Sequence, residues 1–482
     1  MSRDSEAAAV ADPFAGLDAT AQAELVRSGQ ASPTELVEAA IARIEALNPA
    51  LNAVTCKLYD KARAQAARPL GEGPFAGVPF LIKDLISVAG VPNTAGCRAL
   101  AGAVGQVSPP FVNAFEAAGL ITVGLTNTPE FGLIDSTEPA LHGPTHNPWD
   151  LSRSPAGSSG GSGAAVAAGL TPMAHASDGG GSIRLPACHN GVFGLKPSRG
   201  RSLSTGFPPM PFGLPDIAVD HVLTRSVRDS AAMLSLLEDP WTPLGRVGAV
   251  RVPLDRKLRV ALVREGTGGS RADPEVDAAI LGVASLCESL GHVVDEVAWP
   301  FHGQQVMEAF IAEWQILAAG VVAQTCNAVG CAADGEHFEL WTLELAARGA
   351  ALIPDRVAEV ARILSEASEA MDAFFERWDV LLSPVMSHPP KKIGEHATHL
   401  PYDVLFERVA ANAAFTPVFN VCGSPAMSVP LSWTAEGLPV GAQFAGPVGN
   451  ESRLLGLAYQ LEEARPWADR WPPVSAAAKA AA

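Results

Sequence analysis

Apolar positions recur along this chain with two periods, and the switches between them mark out its elements. In the first hundred residues the helical period comes first. Asp18 stands where a helix cap belongs, and the helix it starts reaches about Arg27 before Gly29 stops it. Ser32-Pro33-Thr34-Glu35 is a capping box with proline at the first helical position. The helix behind it carries Leu36, Ala39, Ala40, Ile44 and Leu47 on one face and should end near Asn48-Pro49. Residues 77–85 then read as a buried strand entering a loop, 110–118 as a helix and 121–126 as a short buried strand. Further on, Ser226-Val227-Arg228-Asp229 caps a helix to about Leu237. Strand 258–263, helix 274–290 and strand 292–297 form a βαβ unit. Helices fill 300–400, with Trp314, Trp341 and Trp378 spread through them; 380–384 is a strand and turn, and a last helix runs from Asn450 to about Arg465.

Mixed strands and helices with no second fold signature predict one α/β unit, and 482 residues at 48% hydrophobic provide for a large core. The expected organisation is a flexible N-terminus over 1–17, one domain over 18–470 and a tail over 471–482 that frays from Ser475. The net charge of −17 argues against nonspecific binding to nucleic acid or to anionic membranes and serves solubility. The first fourteen residues lack the basic and apolar regions of a signal peptide, and no apolar run reaches the ~18 residues of a membrane span. Residues 164–176, small and broken by Gly169 and Pro172, read as a buried helix and turn. Seven scattered cysteines without framework spacing suggest reduced thiols and a cytoplasmic protein. Only Cys326 and Cys331 are close in sequence, with no matching pair for zinc, so neither metal nor cofactor is expected.

The chemistry concentrates between Gly157 and Pro186. Gly157-Ser158-Ser159-Gly160-Gly161-Ser162-Gly163 opens the stretch, an alanine-rich run follows, and Asp178-Gly179-Gly180-Gly181-Ser182-Ile183-Arg184-Leu185-Pro186 closes it. Glycines leave backbone N–H groups uncovered, and a serine hydroxyl beside bare N–H groups is what a hydrolase needs to attack a carbonyl and hold its oxyanion. A flexible linker fits poorly between apolar helix and strand text. A phosphate loop lacks its G-x-x-x-x-G-K-[ST] spacing. Gly157 to Gly161 also fits G-x-S-x-G with Ser159 as nucleophile, an α/β-hydrolase reading that needs a downstream acid and a histidine such as His388. No lysine has a serine three residues before it, which excludes a Ser-x-x-Lys hydrolase.

This stretch resembles the signature of the amidase signature family, and Gly77-Val78-Pro79-Phe80-Leu81-Ile82-Lys83-Asp84 resembles that family's lysine motif. Further matches are Asn127 to Gly132, His142 to Trp149, Phe193 to Gly200, Phe415 to Pro430 and Gly437 to Gly441. The resemblance spans about Asp18 to Trp467 and implies a single domain built on a large twisted mixed sheet of ten or eleven strands surrounded by helices. It also implies Ser182 as nucleophile, Ser158 as a bridging serine behind a cis peptide bond, and Lys83 as base. Gly179, Gly180, Gly181 and Ser182 would supply the oxyanion hole, with Asp178 and Arg184 fixing the loop. Lys83 must then be desolvated to be neutral; the alternative is a lysine salt-bridged to Asp84 at the strand end, but neighbours on a strand point to opposite faces, so Asp84 need not neutralise it. Lys196 is the rival lysine, structural on the family reading. Two positions depart from the family: Ala156 replaces a glycine, and Gly179 follows the aspartate where a larger residue is common.

Within the family the text most resembles 6-aminohexanoate cyclic-dimer hydrolases and urethane-cleaving amidases. The resemblance implies hydrolysis of small amides or carbamates through an acyl-enzyme, by a monomer or homodimer. One branch of the family acts as a partner-dependent aminoacyl-tRNA amidotransferase subunit, which the acidity of this chain disfavours. The expected substrate pocket holds Leu133, Phe207, Met210, Phe212 and Trp314. The proline-rich loop 207–215 is expected either to form a lid over an apolar substrate or to pack on itself as a surface loop.

Overall fold

The computed structural model describes residues 12–207 and 209–477. Eleven strands form one mixed sheet: β1 (Val54–Lys57), β2 (Pro79–Lys83), β3 (Ile121–Thr126), β4 (Met173–Asp178), β5 (Phe193–Lys196), β6 (Val219–Thr224), β7 (Arg259–Leu262), β8 (Val293–Glu296), β9 (Val380–Pro384), β10 (Ala426–Trp433) and β11 (Pro439–Ala445). Their order across the sheet is β1-β3-β2-β4-β6-β5-β10-β11-β9-β7-β8. β2 runs parallel to both neighbours, β3 and β4, and β7 runs parallel to β8 and β9; the other pairs are antiparallel. The central strands are buried on both faces, which is why 79–83 and 380–384 are apolar without alternation. Fold class, sheet size and the βαβ unit agree with the sequence reading.

Local signals place the helix starts. Asp18 caps Ala19–Arg27, Ser32 and Glu35 complete the capping box of Pro33–Leu51, and Ser226 caps Val227–Leu237. Four expectations change. The second helix runs through Pro49 to Leu51, because Asn52 in the left-handed region provides the stop. Of 164–176, the last four residues belong to strand β4. Residues 12–17 are tied down rather than flexible: Asp12 pairs with buried Arg43, and the Phe14 and Leu17 carbonyls accept from Gln22; residues 1–11 lie outside the described residues. At the other end, Ser475 is buried, the Ala476 N–H donates to the Ala168 carbonyl, and Arg225 stacks on Trp471. No fraying begins at Ser475 within the described residues, which end at 477.

The helix Gly303–Val329 is long and apolar enough to cross a membrane by length and composition, against the expectation for this chain. Its apolarity is used inside the domain: Ala309, Ala312 and Ile316 are buried, and it packs along Leu340–Ala350 and Pro354–Arg377.

Candidate active site

Two neighbouring parallel strands present their carboxyl ends at one edge of the sheet, the usual place for a site in an open α/β sheet. β2 ends on Lys83 and β4 on Asp178. Between them in sequence, the short helix Gly160–Ala167 is wholly buried, and close approach explains its glycines. A Cβ on Gly160 would lie 2.3 Å from Thr137 Oγ1, and one on Gly161 2.5 Å from the Asn127 nitrogen. Ser158 and Ser159 stand just before this helix. The Gly157–Ser158 peptide is cis, as the resemblance implies, and Ala156 adopts φ +62°, in the left-handed region that favours glycine.

Lys83 is fully buried and donates no ion pair to Asp84, whose carboxylate accepts from the Thr94 backbone and hydroxyl. Its Nζ instead meets three hydroxyls: Ser158 Oγ at 2.7 Å, Ser177 Oγ at 2.8 Å and Ser159 Oγ at 3.0 Å. Burial pushes this amine down to about 7, against a smaller opposing pull from Asp220 and Asp178. The Ser159 hydroxyl donates to the Ser177 carbonyl and accepts from the Ser177 N–H. A neutral lysine has two N–H donors and one lone pair. Donating to Ser159 and Ser177 leaves that lone pair for the Ser158 hydroxyl. Ser159 is thereby committed to Lys83 and Ser177, with no histidine among its partners, which removes the G-x-S-x-G reading. Lys196, also pushed down to about 7 by burial, donates to the Pro197 carbonyl and touches none of these serines.

After β4 the chain turns through Gly179-Gly180-Gly181-Ser182 around the Asp178 carboxylate. Asp178 accepts from Gly181 N–H at 2.7 Å and from Ile183 N–H at 3.1 Å, and Arg184 grips it through Nη2 at 2.8 Å and Nε at 2.9 Å. Burial would raise this carboxyl, but the Arg184 guanidinium and its other partners hold it well below the usual carboxylate range. Asn420, Gln443 and the Thr416 carbonyl complete the shell around Arg184. Among the described residues, the N–H groups of Gly179, Gly180 and Ser182 have no protein acceptor. The Gly181 N–H, expected in the oxyanion hole, is taken by Asp178, because the turn wraps that carboxylate.

Ser182 faces a cavity of about 80 Å³. Gly132 and Gly180 border it, and a Cβ on Gly132 would come within 3.0 Å of Ser158 Oγ, so Ser158 stands just behind the wall. No hydrogen bond joins Ser158 to Ser182 in this structure. The rest of the lining is nearly all apolar: Leu133, Ile134, Met307, Phe310, Ile311, Trp314, Trp341, Leu345 and Phe406, with Asp135 beside them. Trp314 and Trp341 both donate their indole N–H to the Leu133 carbonyl, locking this wall.

Of the expected pocket residues, Leu133 and Trp314 line the cavity, whereas Phe207, Met210 and Phe212 do not. Phe207 and Phe212 are 55% and 74% exposed, and Met210 packs against the core beside Pro354–Arg377. Four prolines predicted a semi-rigid loop, but nothing in their spacing showed which surface the loop would lie on. Sequence reasoning missed Ser177, although it adjoins the signature, and also missed Phe310 and Phe406, which carry no local signal.

Residues 35–455 match the model of the Amidase family, and the chain belongs to that family. It is a hydrolytic amidase of the amidase signature type. Among its relatives, the 6-aminohexanoate-cyclic-dimer hydrolase of Paenarthrobacter ureafaciens is 37% identical over 476 residues, covering 94% of this chain and 96% of that protein. The structure of a 6-aminohexanoate cyclic dimer hydrolase complexed with substrate superposes with a TM-score of 0.88 at 35% identity, covering 95% of this chain and 99% of that one. A bacterial aryl acylamidase of the amidase signature family superposes with a TM-score of 0.84 at 29% identity, covering 95% and 98% of the two chains.

Proposed function

We propose that this amidase hydrolyses the C–N bond of small apolar amides or carbamates through Ser182, Ser158 and Lys83, by way of an acyl-enzyme. The observation that carries this reading is the buried Lys83 amine, 2.7 Å from Ser158 Oγ and free of any carboxylate contact, behind an apolar cavity that Ser182 faces. Neutral Lys83 takes the Ser158 proton, Ser158 takes the Ser182 proton as the hydroxyls close up on substrate, and Ser182 attacks the carbonyl carbon. The N–H groups of Gly179, Gly180 and Ser182 receive the oxyanion, each worth about 3 kcal/mol when well aimed. Ser158 then returns the proton to the leaving amine, and water releases the acyl or carbonate group from Ser182.

The relatives named for cyclic amide and aryl amide hydrolysis support an amide substrate, and the cavity lining supports an apolar group next to the carbonyl. A carbamate presents the same carbonyl to Ser182. Seven cysteines, all unpaired, accord with a reducing cytoplasm. The test is a matched set of chromogenic anilides, acyl amide against alkyl carbamate with short and long chains, run with wild type and Ser182→Ala. Amide cleavage alone, lost in the variant, restricts the enzyme to acylamides. Comparable carbamate cleavage lost in the same variant makes it a urethanase as well. Activity surviving in Ser182→Ala places the nucleophile elsewhere.

A further inference from the structure

The oxyanion loop of this chain is made of three consecutive glycines, so no side chain limits its rotation. Gly181 stands at φ +136°, which only glycine adopts without strain. A planar peptide between two glycines can turn about its flanking bonds almost freely. Something outside the loop must therefore fix it if its N–H groups are to point at one place.

The Gly180–Gly181 peptide is held at both ends. Its N–H donates to Asp178 Oδ1 at 2.7 Å, and its carbonyl oxygen accepts from Thr416 Oγ1 at 2.6 Å. Thr416 comes from a chain segment 236 residues away. It is fully buried, its own carbonyl accepts from Arg184 Nη1 at 2.9 Å, and a Cβ on Gly181 would collide with its hydroxyl at 2.4 Å. The free N–H groups of Gly180 and Ser182 flank this pinned peptide on either side.

We propose that Thr416 is a positioning residue for the reaction: its hydroxyl sets the Gly180–Gly181 peptide and so aims the N–H groups of Gly180 and Ser182 at the developing oxyanion. The inference rests on the Ser182 mechanism proposed above. Asp178 supplies the second anchor but is itself part of a buried ion pair, so its loss unfolds the loop and reports on stability. Thr416 is the anchor that a substitution removes without altering charge and almost without altering shape. Thr416→Val takes the hydroxyl away; Thr416→Ser keeps it and loses a methyl.

The experiment compares wild type, Thr416→Val and Thr416→Ser in three readouts: kcat and KM on a chromogenic anilide, the rate at which an alkyl fluorophosphonate modifies the enzyme, and Tm. Phosphonylation passes through a charged oxygen in the same hole without a leaving amine. Thr416→Val should lower kcat and the phosphonylation rate together by about tenfold or more, since a misaimed donor forfeits part of what a whole donor supplies. KM should stay within about twofold, and Thr416→Ser should restore both rates to within about threefold of wild type. Rates in Thr416→Val within twofold of wild type overturn the proposal. So does a loss that Thr416→Ser fails to repair and that tracks a fall in Tm, which is what a packing role gives. Peptide mapping of the phosphonylated wild type separates the two levels: label on a serine other than Ser182 overturns the proposed mechanism and this inference with it, whereas label on Ser182 with an unchanged rate in Thr416→Val overturns the inference alone.

Discussion

The mechanism requires a neutral Lys83, so pH is the perturbation that tests it most directly. An ordinary lysine titrates near 10.5, and burial brings this one to about 7. At pH 7 the neutral fraction is then about one half, against about 0.03% for an unperturbed amine. It is about 9% at pH 6 and about 91% at pH 8, so kcat/KM should climb roughly tenfold over those two units and level off above pH 8. A chromogenic anilide followed from pH 5.5 to 9 reads this limb directly. Lys83→Ala should lie at least a hundredfold below wild type across the range. Lys196→Met should leave the limb where it is, because Lys196 titrates in the same range but touches none of the serines. The same shift carries a stability signature. The folded state holds fewer protons on Lys83 than the unfolded chain between about pH 7 and 10.5, so stability rises with pH across that window. The advantage of Lys83→Met over wild type should be largest at and below pH 7 and shrink as pH rises, by up to about 1.4 kcal/mol per unit. A flat rate profile between pH 5.5 and 8.5, or a Lys83→Ala variant within a few fold of wild type, would refute the assignment of Lys83 as base.

Other substitutions separate the parts of the site. Asp178→Asn leaves the fully buried Arg184 without its charge partner and should cost about 3–5 kcal/mol in denaturant unfolding, as well as activity; a loss of activity at unchanged stability would mean that the pair is not structural. Gly181→Ala puts a Cβ 2.4 Å from Thr416 Oγ1 at φ +136° and should cut kcat by more than tenfold; a wild-type rate would show that the loop relaxes freely. Trp314→Ala removes a cavity wall and the indole that holds the Leu133 carbonyl, so KM for short apolar anilides should rise severalfold while longer ones gain relative to them. Phe212→Ala should change neither KM nor stability by more than about 0.5 kcal/mol, since the ring is 74% exposed and outside the cavity; a marked rise in KM would restore the lid reading.

The sequence alone determined what depends on near neighbours. Caps at Asp18, Ser32 and Ser226, the apolar runs of β2, β3 and β9, and the glycine clusters around Ser158 and Ser182 act over a few residues, and each was legible where it stood. Lys83 was singled out by the resemblance of Gly77 to Asp84 to a family motif more than by local chemistry, since a neighbouring aspartate offered it a salt bridge. Tertiary structure decided everything that needs two distant segments at once. It set the order of the strands and turned Asp84 toward Thr94 and away from Lys83, so that burial outweighs the smaller opposing pull of Asp220 and Asp178 on the amine. It gave the Gly181 N–H to Asp178 and the Gly180 carbonyl to Thr416, a division that no reading of the glycines could make. It built the cavity from Phe310, Trp314, Trp341 and Phe406 and left Phe207 and Phe212 outside. The reason is physical: a cap or a strand is settled by neighbours along the chain, whereas a buried polar group or a cavity wall is settled by whichever segments the packed core brings against it.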